Sequence, residues 1–161
     1  MVKQHTNAFS LLEAIVALAV FALVAAAIVT LLLGGWSASS RQTDLSQAER
    51  LATSGLEAAR AIAAHDWLAM DLTATGLVYD NNEWRFLGQG TSDQTDNFSR
   101  QLLVAPVCRD SVSQHVVTCP SGYQDDNSRQ ITAVISWPNQ LGQTVTTSQQ
   151  TFIINLATTT P

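Results

Sequence analysis

A glutamate at position 13 stands where a charge is expensive. It lies in "AFSLLEAIVAL", directly before "AIVALAVFALVAAAIVTLLL" (14–33), in which Thr30 is the only polar side chain. An ionised carboxylate at the centre of a membrane helix costs about 2.5–3.5 kcal/mol on insertion scales, and less near an interface. The chemistry open to such a group is the binding of a cation, because an opposite charge offsets the loss of water that an unpaired one suffers.

The other reactive side chains are sparse. The chain has two cysteines, Cys108 and Cys119. Downstream of a membrane span they fall in the part expected outside the cytoplasm, where disulfides persist. A bridge between them closes a short loop, worth roughly 3 kcal/mol by chain entropy. With His115 as the nearby imidazole they make too small a donor set for zinc. His65 and His115 stand far apart and read as surface or structural residues. "DNNE" at Asp80 and "DDNS" at Asp125 lack the EF-hand spacing and read as solvated turns. GxSxG and clustered histidines are missing from the sequence, so no enzyme, metal or cofactor is expected.

These residues need elements to hold them. Positions 14–33 are long enough to cross a hydrocarbon core of roughly 30 Å as a helix rising about 1.5 Å per residue. Lys3, in the leader "MVKQHTNA", is the only lysine and favours a cytoplasmic N-terminus. The net charge of −5, with scattered arginines, leaves no footprint for nucleic acid. The 161 residues, 46% hydrophobic, suit one modest domain beside the span.

"GGWSASS" (34–40) marks a loosening of the helix, after which Leu45, Ala48, Ala52, Leu56, Ala59, Ala63, Trp67 and Met70 recur at spacings of three and four. This spacing predicts an amphipathic helix with one narrow apolar stripe. Gly55 falls near the stripe and marks a bend or a close contact, while Glu57 and Arg60 are placed to pair on the surface. The period then shortens. Ile131, Ala133, Ile135 and Trp137 alternate in "QITAVISW", and Phe152, Ile154 and Leu156 in "TFIINL", with "PNQLGQ" as a hairpin connection between them. Phe98, Arg100, Leu102 and Val104 predict another strand, ended by Pro106, and "EWRFLG" a short one. The expected fold is α+β, a long N-terminal helix packed on four antiparallel strands.

A lysine-bearing leader, the small residue Ala8, "FSLLE", an apolar helix, its amphipathic continuation and a strand-rich end together resemble the type IV pilins. "QAERLATSGLEAARA" before a small sheet is most similar to PilV-type minor pilins and minor pseudopilins of type II secretion. The resemblance implies a leader at 1–8, a transmembrane and filament-core helix at 9–35, an amphipathic continuation at 36–72 and a sheet domain at 73–161. It implies cleavage between Ala8 and Phe9 by a prepilin peptidase and methylation of the new amine on Phe9. Glu13, fifth from that amine, would then attract the amine of a neighbouring subunit during docking. Expected partners are major and minor pilins or pseudopilins, the peptidase, an inner-membrane assembly platform and, before assembly, membrane lipid. The expected location is the bacterial inner membrane, crossed once with the C-terminal domain in the periplasm, and then the filament. Ala8 replaces the glycine usual in the family, and Thr30 stands where major pilins usually carry proline. A competence pseudopilin, or a secreted domain released from a cleaved signal near "WSASS", are the alternative readings.

Overall fold

The computed structural model describes residues 11–139 and 141–155. In chain order it contains a helix α1 (Leu11–His65), a 3-10 turn (Trp67–Met70), and strands β1 (Ala74–Asp80), β2 (Glu83–Gln89), β3 (Asp93–Thr95), β4 (Phe98–Arg109), β5 (Val116–Val117), β6 (Tyr123–Pro138) and β7 (Thr144–Ile154). The architecture is α+β and pilin-like, with a seven-stranded antiparallel sheet of order β2-β1-β4-β6-β7. Strands β3 and β5 add to β4 outside that path. The chain divides into two compact units, Met1–Thr43 and Asp44–Pro161.

Helix α1 is unbroken through Gly34 and Gly35, where the sequence predicted loosening. Two glycines cost about 2 kcal/mol against alanine, but propagation adds a hydrogen bond for each residue fixed, and the three leucines before them are strong helix formers. The helix ends at His65, short of the Met70 that the stripe predicted. Asp66 is the reason: its backbone is extended, and its carboxylate accepts the Leu68 amide, capping a new 3-10 turn. Met70 is still 1% exposed, because that turn carries the apolar stripe on into the core.

In the unit Asp44–Pro161, Ala48, Ala52, Leu56, Ala59, Ile62 and Ala63 of α1 meet Leu102, Ile131 and Ile135 of the sheet, all buried. The helix face is built from small residues because β4 presses on it. A Cβ at Gly55 would stand 3.0 Å from Arg100 Cδ and 3.3 Å from Leu102 Cδ2, so Gly55 marks a close contact within an uninterrupted helix. Thr53 donates to Gln149 and Arg60 to Thr151, joining the helix to β7. Arg60 thus spans to the sheet, in place of the surface pair with Glu57 that the sequence suggested.

The strands depart from expectation at identifiable points. Pro106 does not end β4; the β4–β6 register shifts at Pro106/Val107, and such an irregularity accommodates a residue without an amide hydrogen. Strand β7 has the opposite phase from the one predicted: Ile153 is buried, while Phe152 and Ile154 are 49% and 54% exposed. The hairpin decides this, since Pro138 pairs with Thr144 and the ladder then sets Ile131 opposite Thr151, on the core side. Strand β1 went unseen because Gly76 interrupts its alternation, and β3 and β5 are too short to show a period. Asn81 and Asn82 turn β1 into β2 with φ of 50° and 67°, the left-handed pair that a tight hairpin needs.

Gly76 lies against backbone. A Cβ there would be 2.6 Å from the Ser92 carbonyl carbon and 2.7 Å from the Asp93 nitrogen. Gly76→Ala should therefore destabilise by about 1–3 kcal/mol, the usual range for overpacking. Gly35, with nothing within 4 Å, should instead gain up to about 1 kcal/mol as alanine. Urea midpoints of the two variants moving in the same direction would contradict this assignment.

Candidate membrane and assembly helix

In the unit Met1–Thr43 the apolar part of α1 meets no core: Leu11, Phe21, Leu23, Leu31 and Leu33 are 67–81% exposed. Continuous apolar surface on this scale marks a site that lipid or another protein covers. Residues 11–33 extend for about 34 Å at the helical rise, long enough and apolar enough to cross a membrane. Thr30, the one polar side chain in 14–33, donates to the Ala26 carbonyl at 2.7 Å, so its hydroxyl is satisfied within the helix, as lipid demands.

The two ends of this segment differ in chemistry. Glu13 lies in the first turn of α1, where helix amide groups carry the positive end of the macrodipole and favour a carboxylate. Trp36, 75% exposed, follows the apolar run at its other end. Its ring suits the headgroup layer, where amphipathic aromatics concentrate. Trp36 was not singled out from the sequence; its place just past the two glycines that follow the last leucine was the signal that could have found it. Ala8 and Phe9 lie outside the described residues.

The remaining predicted residues belong to the unit Asp44–Pro161. Cys108 and Cys119 form a disulfide with a Cα–Cα distance of 5.3 Å, closing the loop that carries β5 back onto the end of β4. His65 ends α1, and His115 lies in that loop with its carbonyl accepting the Asp110 amide. Asp80 begins the β1–β2 turn. Asp125 is not in a solvated turn, as the sequence suggested; it sits within β6 at the register shift, where Arg109 Nε donates to it at 2.6 Å and the Ser128 hydroxyl at 2.7 Å.

The Arg109 guanidinium and then the Ser128 hydroxyl hold the Asp125 carboxyl below the ordinary aspartate value. The amide and hydroxyl of Ser113, with the Val112 amide, do the same for Asp110. A carboxyl lowered by folding contributes stability above its unfolded value of about 3.9, and that contribution fades as pH falls through the folded value. Thermal unfolding should therefore shift little between about pH 7 and 5 on this account and fall below about pH 4. In Asp125→Asn the acid-induced part of that fall should be smaller; an identical acid limb would remove Asp125 from the explanation.

Among the described residues, a helix with an exposed apolar first half, continued by an α+β unit, gives one helix long and apolar enough to cross a membrane and a pilin-like fold. Residues 3–35 match the model of the prokaryotic N-terminal methylation motif, a stretch that includes Lys3, Ala8, Phe9 and Glu13. The match covers about a fifth of the chain and supports a type IV pilin-like N-terminus, a motif that implies processing by a prepilin peptidase and assembly with other pilins. Together with the apolar helix it fits anchoring in an inner membrane. No curated protein and no solved structure gives a significant match to the chain.

Proposed function

We propose that this chain is a minor subunit that helps initiate or modify a type IV pilus or a related filament, with no enzymatic role. The observation that carries this reading is the coincidence of the methylation motif with an apolar helix segment that has no core of its own to enter. In it, residues 1–8 are a leader, the peptidase cuts between Ala8 and Phe9, Phe9 is methylated, and Glu13 meets a neighbour's new amine. Residues 9–35 anchor the subunit in the inner membrane and then pack in the filament. The unit beyond lies in the periplasm, stapled by Cys108–Cys119, and carries partner specificity.

Mass spectrometry of the N-terminal peptide, from membranes of cells carrying the matching peptidase, tests this. A peptide that begins at N-methylated Phe9 is the expected result. A chain beginning beyond Leu33 would identify a secreted domain and end the filament reading. Deletion of the gene then separates the systems: lost twitching or adhesion assigns a pilus, trapped exoproteins a type II secretion pseudopilus, and lost transformation a competence filament.

A further inference from the structure

In the unit Asp44–Pro161 a cavity of about 710 Å³ opens between β2 and the last turn of α1. Its apolar wall combines Ile62 of α1, Leu68 of the 3-10 turn, and Trp84 and Phe86 of β2. Leu68 is 84% exposed, an aliphatic side chain at the mouth of a groove it does not fill. The strand beside it is an edge: among the described residues β2 pairs only with β1. Its ladder with β1 is regular from Asp80↔Glu83 to Leu77↔Phe86, and a strand paired on one side only leaves backbone amides and carbonyls of its other side open to a partner.

An apolar groove flanked by a helix and an open strand edge is what an extended peptide requires. Main-chain hydrogen bonds to the edge supply affinity, and the pocket takes alternate side chains. The rim adds a sign. Asp66, Asp71 and Glu83 border the cavity, against Arg85 and His65, and Arg85 is already engaged by Glu83 at 3.4 Å. The surplus is negative, and the chain's net charge of −5 disfavours a second copy as the occupant. Strand β7 is the other end of the sheet, where a polar pocket against α1 takes Gln149 alone from the strand.

We propose that the groove between β2 and the end of α1 binds an extended segment of a partner protein with alternating apolar and basic residues, added as a strand to the edge of β2. This goes beyond the filament reading and holds whichever system the chain serves.

The test uses the full chain in uncharged detergent micelles and amide hydrogen exchange read by mass spectrometry. The probes are a capped hexapeptide alternating valine and lysine, its valine–glutamate counterpart, and the lysine peptide with an N-methylated backbone. The lysine peptide should slow exchange across 83–86, with the glutamate peptide at least tenfold weaker and the N-methylated one without effect. Charge reversal by Asp71→Lys with Glu83→Lys, both outside the buried core, should invert the preference while thermal unfolding stays unchanged. Absence of protection on β2, protection by the N-methylated peptide as strong as by its parent, or a preference that survives charge reversal would each overturn the proposal.

Discussion

Glu13→Ala should leave cleavage and membrane insertion intact while lowering incorporation into filaments at least tenfold. Two unit charges about 4 Å apart attract by roughly 4 kcal/mol at an effective dielectric of 20, before desolvation is subtracted. A tenfold loss corresponds to about 1.4 kcal/mol, so the effect survives even if desolvation removes more than half of the attraction. Removal of the carboxylate also removes the cost of holding it at the membrane edge, so the monomer should insert at least as well as the parent. Glu13→Gln should behave like the alanine variant, because it keeps the size and loses the charge. Immunoblots of sheared filaments against total membranes give the ratio directly. Incorporation of either variant at the parental level would sink the docking role, and failure to be cleaved would place Glu13 in peptidase recognition instead.

The second large effect belongs to Arg100. This arginine is 6% exposed, and its Nη2 donates to the Asp93 carboxylate at 2.8 Å. Its Nη1 reaches the Leu51 carbonyl on α1 at 3.3 Å, and the guanidinium lies 5.9 Å from the Trp84 ring centroid. Asp93 in turn accepts the Leu77 amide at 2.8 Å. One side chain therefore links α1, β3 and β4, and its partner secures β1. Arg100→Met should cost about 3–5 kcal/mol, since it strands a carboxylate only 12% exposed, and lower the unfolding temperature by roughly 10–20 °C. Adding Asp93→Asn should restore part of the loss, because the stranded charge disappears while an oxygen remains for Leu77. A cost under about 1 kcal/mol for the single variant, or no recovery in the double, would show that the pair is dispensable.

Arg100 also shows how the sequence was informative and where it stopped. Alternation placed it on the same face as Phe98, Leu102 and Val104, and all of these are buried. Nothing in that spacing named Asp93, because β3 is only Asp93–Thr95 and has no periodic signal. The error in β7 has a related cause. The more apolar phase of "TFIINL" is Phe152, Ile154 and Leu156, yet parity rested on the hairpin, and only the pairing of Pro138 with Thr144 fixed it. The sequence likewise carried the stripe through Trp67 and Met70, yet the cap at Asp66 changed the helix type beneath it.

What the sequence determined by itself was local and periodic: the apolar span, Glu13 at its threshold, the alanine stripe, the alternation of β6 and the cysteines whose short separation allowed a bridge. These depend on hydrophobicity and spacing along a few turns, which the chain carries openly. Tertiary structure alone decided the rest: the partner of Arg100, the transfer of Asp125 from a presumed solvent turn to the Arg109 contact, the phase of β7 and the groove beside β2. Each of these joins residues from separate elements, and their meeting depends on register and close packing, which pairwise distance along the chain does not encode.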